Sequence, residues 1–127
     1  MTTDPYNPLV RQLFNDTAHA GRLADAVSVE KSEQGVQLEI SGRDLGGVLD
    51  CLRFRAYGCP HVIAAAEAVC AEFEGQAVSL LEEFSATEIM QSLAVPTEKS
   101  GRILVLEDTV RLLGAALRES SSNTEQN

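Results

Sequence analysis

Apolar and polar residues alternate along three stretches in the first half of the chain, residues 26–31, 36–40 and 48–57. A period of two is typical of strands that bury one face. The stretches are separated by segments rich in glycine and polar residues, at 32–35 and 42–47. Because short turns join consecutive strands in antiparallel order, the pattern predicts a three-stranded antiparallel meander.

Beyond residue 58 the apolar residues recur at helical spacing. Gly58 ends the third strand, and Pro60 is well suited to the first turn of a helix. The apolar stripe that follows consists of Val62, Ile63, Ala66, Val69, Cys70 and Phe73. A second stripe, near the end of the chain, consists of Ile103, Leu106, Val110, Leu113 and Leu117. Both stripes predict helices that pack one apolar face against the rest of the domain.

Three shorter helical segments complete the prediction. Asn7 and Pro8 form a favourable helix start ahead of a short apolar stripe. Residues 78–84 favour a second helical segment. Residues 85–88 have the composition of a capping box, which predicts the start of a third helix that ends before Pro96.

These elements indicate one α+β domain over residues 1–119, in which helices pack on one face of the meander. Residues 120–127 are polar, and we expect them to form a disordered tail. Residues 15–21 are predicted to form a loop, in which His19 is expected to be exposed to solvent.

Composition narrows the classes of function. The 127 residues carry 19 acidic and 10 basic side chains, and the net charge of −9 argues against binding to nucleic acid or anionic lipid. No apolar run approaches the roughly 20 residues that a membrane helix needs, and no secretory signal is visible. Three cysteines, an odd number, favour a reducing compartment over a disulfide framework. We therefore expect a cytoplasmic protein.

Cys59 is the residue whose position most favours chemistry. It follows Gly58 in the predicted strand-to-helix turn, where the positive end of the helix dipole favours a thiolate. The alternative is a small buried thiol with a structural role. Cys51 precedes it on a strand and Cys70 follows it on a helix, so local geometry does not bring the three thiols together.

Residues 52–59 resemble the central motif of the NifU/IscU-type scaffolds for iron–sulfur cluster assembly, in which a Tyr-Gly-Cys turn carries one of three cluster-ligating cysteines. The order of the predicted elements resembles that family along nearly the whole chain. Further similarities are found at Tyr6, Val10, Leu13, Phe14, Gly21 and residues 105–108. The resemblance implies a NifU/IscU-like fold and a role in iron–sulfur cluster assembly.

The other ligands of that family have no match in this chain. Its first ligand cysteine corresponds to residues 32–35, and its His-Cys pair corresponds to Gly101 and Arg102. The resemblance implies that both places approach Cys59 in space. His61 is the nearest additional candidate for a metal ligand, and the alternative is an exposed histidine at a helix start. Arg102 cannot bind a metal ion, and we expect it to bind an anion or a partner's carboxylate.

The resemblance and the missing ligands together predict an accessory iron–sulfur assembly protein that is not an enzyme. Cys59 would accept sulfur or, with His61, bind metal. Because a [2Fe–2S] cluster needs four ligands, we do not expect a monomer to hold one, whereas a homodimer could pool two copies of each residue. The expected partners are a cysteine desulfurase or a cluster acceptor.

Two other functions fit the same residues. One is a metal-free docking module that shares the fold. The other is a thiol enzyme with Cys59 as nucleophile and His61 as base, which we rank last because residues separated by only one position at a helix start rarely point at each other.

Overall fold

The computed structural model describes residues 8–125, and the side chains of residues 8–120. Its sheet contains three antiparallel strands in chain order, which are β1 Val27–Glu33, β2 Val36–Leu45 and β3 Val48–Tyr57. The helices are α1 Pro8–Asn15, α2 Pro60–Phe73, α3 Thr87–Ser92 and α4 Ser100–Glu125, with short 3-10 helices at Val78–Glu83 and Thr97–Lys99. The predicted α+β meander is confirmed. The expected helix-capping residue Asn7 and the family-like Tyr6 lie outside the described residues.

One face of the sheet forms the core. The buried residues of β2 alternate along the strand, as Val36, Leu38 and Ile40 do, and Ile40 pairs with the buried Phe54 of β3. Helices α2 and α4 pack on the sheet. The predicted period of two is confirmed, because each apolar residue points into the same layer between sheet and helices.

The second strand is longer than predicted. Residues 42–45, which were expected in a turn, continue β2, and only Gly46 and Gly47 form the turn. A Cβ atom added at Gly42 would lie 3.1 Å from Leu52 Cδ2 and 3.2 Å from Leu113 Cδ2. Gly42 therefore lies inside a strand because the absence of a side chain lets α4 approach the sheet.

Both predicted apolar stripes lie in helices. Helix α2 begins at Pro60 with Cys59 as its N-cap residue, and all the predicted stripe residues of α4 are buried. Helix α4 continues to Glu125, and so enters the segment 120–127 predicted to be disordered, whose last two residues lie outside the described part. None of the described helices is both long and apolar enough to cross a membrane.

The cap of helix α3 differs from the predicted capping box. Its N-cap residue is Ala86, and no side chain caps it. The backbone N–H of Ala86 instead donates to Glu107 Oε1 on α4, at 2.9 Å. A carboxylate distant in the chain therefore satisfies a backbone donor at the start of α3, where the sequence pattern predicted the local pair Ser85 and Glu88.

A glycine in the middle of α4 sets the distance to the 3-10 helix Val78–Glu83. A Cβ atom added at Gly114 would lie 2.8 Å from Leu81 Cβ and 3.0 Å from the backbone nitrogen of Glu82. One turn earlier, Arg111 Nε donates to Phe84 O at 2.7 Å. Close backbone approach and a hydrogen bond therefore hold α4 against this segment.

Candidate functional site

Cys59 lies in the turn that joins β3 to α2. Gly58, just before it, has a φ of 125°, a conformation that residues with side chains rarely adopt. A Cβ atom added at Gly58 would lie 2.8 Å from Gly35 O, so this turn also requires glycine for space. The Cys59 carbonyl accepts from Val62 N at 3.0 Å, and the Cys59 residue is only 4% exposed.

His61 is buried and lies beside the thiol. It is 1% exposed, and its Nδ1 is 3.8 Å from Cys59 Sγ. The alternative of an exposed histidine is therefore wrong, because the first turn of α2 is packed inside the domain. The two side chains meet because Cys59 is an N-cap residue with extended backbone angles, φ −86° and ψ 131°, and an N-cap side chain reaches the residues of the first turn.

The environment of His61 keeps its imidazole neutral. Burial lowers the pKa of His61 from its ordinary value of 6.5, and the charge of Lys99 lowers it further. A neutral imidazole carries one N–H and one lone pair. When Nε2 holds the proton, Nδ1 accepts from the Cys59 thiol. The pair can therefore act as a thiol with its proton acceptor, or as two neutral ligand donors.

Three segments of the chain converge at this end of the sheet. The turn at Gln34 and Gly35 contacts the glycine that precedes Cys59, and a Cβ atom added at Gly101 would lie 3.8 Å from Gln34 Oε1. Lys99, just before α4, is close enough to His61 to lower its pKa. The prediction that residues 32–35 and the start of α4 approach Cys59 is confirmed.

Helices α2 and α4 both begin at this end of the domain, and helix N-termini carry unpaired N–H groups and the positive end of the dipole. Lys99 precedes α4 and acts on His61, and the partly buried Arg102 lies in the first turn of α4. The helix N-termini and the charge of Lys99 therefore favour an anionic group beside His61.

The described residues offer few metal ligands here. Among the side chains of residues 8–120, no group of three or more His, Cys, Asp or Glu could hold a metal ion. Cys59 and His61 supply one sulfur and one nitrogen donor, which iron accepts, but a four-coordinate site needs two more. Cys51 is partly exposed on β3, and Cys70 is buried further along α2.

A second polar cluster lies along α2, and sequence reasoning missed it. His19 Nδ1 is 2.5 Å from Glu67 Oε2, and His19 Nε2 is 2.9 Å from Glu74 Oε1. The expectation of an exposed His19 is wrong, because its side chain is 16% exposed and both ring nitrogens are bound. The available signal was the seven-residue spacing of Glu67 and Glu74, which is typical of two residues on the same side of a helix and its C-cap.

The sequence is similar to that of a known iron–sulfur cluster assembly protein. The chain is 26% identical over 90 residues to iron sulfur cluster assembly protein 1, mitochondrial, of Eremothecium gossypii. The match covers 71% of this chain and 58% of that protein, so the chain spans a little over half the length of this relative.

Solved structures share the fold. The N-terminal part of a nitrogen-fixing NifU-like protein from Brucella abortus matches with a TM-score of 0.68 and 12% identity, over 89% of this chain and 94% of the other. A protein from Fervidobacterium islandicum AW-1, described as an iron-sulfur cluster assembly scaffold for the SUF system, matches with a TM-score of 0.58 and 16% identity, over 89% and 93%. The family model of the NifU-like N terminal domain matches residues 5–112. The chain belongs to the NifU-like N-terminal domain family.

Proposed function

We propose that this protein is an accessory component of iron–sulfur cluster assembly, in which Cys59 accepts sulfur from a cysteine desulfurase and passes it to a cluster acceptor. The observation that carries the proposal is the 3.8 Å separation of Cys59 Sγ and His61 Nδ1, at the N-terminus of α2. Family membership supplies the context of iron–sulfur assembly. The protein receives and hands on sulfur and is not an enzyme. The odd number of cysteines supports a reducing compartment, and we place the protein in the cytoplasm.

The transfer step uses the residues of the site in a simple exchange. The Cys59 sulfur attacks the terminal sulfur of the donor's persulfide, and its proton passes to His61 Nδ1. The S–S bond of the donor breaks as a new S–S bond forms on Cys59. The donor leaves as a thiolate, which takes the proton from His61, so no external oxidant or reductant is consumed.

Burial of the thiol sets a condition on this step. Because Cys59 is 4% exposed, a donor reaches it only when the surrounding segments open or a partner displaces them. The turn at Gln34 and Gly35 and the start of α4 are the segments next to the site. The N-terminus of α2 and the charge of Lys99 beside His61 then stabilise the persulfide anion once it has formed.

Iron and cluster are substrates of this protein, and a monomer does not hold a [2Fe–2S] cluster in this proposal. Cys59 and His61 provide two of four ligands. Arg102, at the position of a family ligand, carries a fixed charge and no donor lone pair. A homodimer that brings two copies of the pair together would complete the set.

The test is sulfur transfer from a purified cysteine desulfurase supplied with L-cysteine. Intact mass measured without reductant should show the addition of one sulfur atom to the wild type and none to Cys59→Ser. Cys70→Ser is the matched control, since it removes another buried thiol from the same helix and should leave the transfer unchanged.

Two results would overturn the proposal. One is sulfur on Cys51 or Cys70 that persists in the Cys59→Ser protein. The other is no sulfur on the wild type while the protein still binds the desulfurase, which would favour a docking module without sulfur chemistry.

A further inference from the structure

His19 lies between the carboxylates of Glu67, in helix α2, and Glu74, the C-cap residue of that helix. Glu67 accepts twice, from the backbone N–H of His19 at 2.8 Å and on the ring Nδ1 side at 2.5 Å. Glu74 lies 2.9 Å from the other ring nitrogen, Nε2. Glu67 lies in α2 and Glu74 directly follows the last residue of α2, while His19 lies in the loop between α1 and β1, 48 residues before Glu67 in the chain.

The same carboxylates tie the loop to the edge of strand β3. Glu74 Oε2 accepts from Leu52 N at 2.8 Å and from Arg53 Nη1 at 2.9 Å. Phe54 N donates to His19 O at 2.9 Å, and Gly21 N donates to Phe54 O at 2.7 Å. Residues 19–21, which we call the strap, therefore cover the outer edge of β3, and the side chain of His19 holds them there.

The arrangement requires a doubly protonated imidazole. A neutral histidine has one N–H donor, and its second nitrogen presents a lone pair. With a carboxylate oxygen within 3 Å of each nitrogen, the neutral ring would set a lone pair against a negatively charged acceptor. The imidazolium instead donates to both carboxylates, with charge-assisted hydrogen bonds.

The charges around His19 balance only when its imidazole is doubly protonated. The charged groups that contact His19 are Glu67 of α2 and Glu74, the C-cap residue of α2. Arg53 of β3 binds Glu74, and the thiol of Cys70 lies near both carboxylates and near Cys51. Imidazolium and guanidinium together offset two carboxylates. Loss of the His19 proton would leave one buried negative charge without compensation, which is unfavourable in a partly desolvated cluster.

We propose that the strap is a proton-dependent latch, closed on the β3 edge when His19 carries two ring protons and released when it loses one. Release would free the N–H and C=O of Phe54, and an unpaired strand edge can pair with an added strand. This edge runs toward Tyr57 and the Cys59 turn. The latch would thus expose a binding edge next to the functional site, although the inference does not depend on sulfur transfer.

The direction of the pH dependence follows from the pKa of His19. Burial alone would lower this pKa, but the hydrogen bonds and charges of Glu67 and Glu74 raise it above the ordinary value of 6.5. The latch therefore contributes its full stability below pH 6.5 and loses it as the pH rises through the raised pKa. Release therefore occurs above pH 6.5, as His19 loses its second ring proton.

The first experiment is an NMR titration of the wild-type histidines, which are only two in the chain. We expect one imidazole to titrate above 6.5 and the other, His61, below it. In Glu67→Gln the higher pKa should fall by about one unit, because a charged acceptor is replaced by a neutral one. Glu72→Gln is the matched control, since it removes an exposed carboxylate from the same helix and should leave the pKa unchanged.

The second experiment is amide exchange of the wild type between about pH 6 and pH 9, corrected for intrinsic rates. Protection at Gly21 and Phe54 should fall roughly tenfold through the His19 titration. Val78 N, which donates to Gly47 O elsewhere along the β3 edge, should keep its protection. A His19 pKa at or below 6.5, or protection at Gly21 and Phe54 that follows that of Val78, would overturn the proposal.

Discussion

The two ends of helix α2 each bury a cysteine, and the two thiols lie in opposite surroundings. Cys59 is the N-cap residue of the helix and lies beside the neutral imidazole of His61, on which the charge of Lys99 acts. Cys70 lies on the last turns of the helix and is 1% exposed. Burial raises the pKa of the Cys70 thiol, and the carboxylates of Glu67 and Glu74 raise it further.

The comparison shows that burial alone does not decide the role of a thiol. Both residues are almost fully buried, yet one is next to a proton acceptor and helix N-termini, and the other is next to negative charge. The thiolate of Cys70 is opposed by burial and by negative charge, whereas Cys59 lies next to a proton acceptor. We therefore expect the two thiols of one helix to differ in reactivity.

The largest expected effect concerns the cluster. After anaerobic incubation with iron and sulfide, we expect no stable [2Fe–2S] cluster on the monomer, and loss of any dimer-bound cluster in Cys59→Ser. Visible absorption, iron content and size-exclusion chromatography together measure this. Cys70→Ser should behave as the wild type. Stoichiometric cluster on a monomer would show that the ligand count given above is wrong.

Alkylation rates compare the two thiols directly. In a Cys51→Ser background, at neutral pH and limiting iodoacetamide, Cys59 should react on the order of 100-fold faster than Cys70, since reaction requires the thiolate. Peptide mapping by mass spectrometry gives both rates in one sample. Equal rates would mean that local opening, rather than electrostatics, controls access to both thiols.

The two ends of α2 also differ in how strictly each requires its glycine. Both have positive φ, 125° at Gly58 and 88° at Gly75, but a Cβ atom meets backbone within 4 Å only at Gly58. Gly75→Ala should therefore cost about 1 kcal/mol of unfolding free energy, and Gly58→Ala about 2 kcal/mol more. Urea denaturation measures the unfolding free energy of both variants. Equal losses in the two variants would show that the contact with Gly35 does not constrain the Cys59 turn.

The smallest expected effect comes from the imidazole. His61→Gln should slow alkylation of Cys59 by roughly threefold, since the thiol loses a proton acceptor, and leave Cys70 unchanged. The free energy of unfolding, measured on the same samples, separates this loss from general loosening. Faster labelling of Cys59 in His61→Gln would show that the imidazole covers the thiol more than it activates it.

Local patterns in the sequence predicted the elements well. The limits of β3 at Val48 and Tyr57 and the start of α2 at Pro60 follow from period-two spacing, a glycine and a proline, which are all local signals. Gly42 was placed in a turn because its partner Leu113 is distant in the chain. A packing glycine and a turn glycine look the same in a single sequence.

The position of Cys59 could be predicted from the sequence, whereas the burial and contacts of the two histidines could not. The turn placed Cys59 at a helix start, and the resemblance placed the start of α4 beside it. The burial of His61 was missed, because no local pattern tells which side of a first turn faces the core. The contacts of His19 span 48 and 55 residues, and such pairings cannot be read from spacing along the chain.

Because helix α4 is in close contact with Leu81 at Gly114, a small tilt of the helix around this point would move its N-terminal end. Gly114 and Arg102 are separated by roughly 18 Å of helix at 1.5 Å per residue. A tilt of about 5° around the contact with Leu81 would therefore shift Arg102 by roughly 1.5 Å over that length. Since misplacement by about 1 Å is enough to alter a chemical site, a partner pressing on the segment Val78–Glu83 could retune the surroundings of Cys59 without touching them.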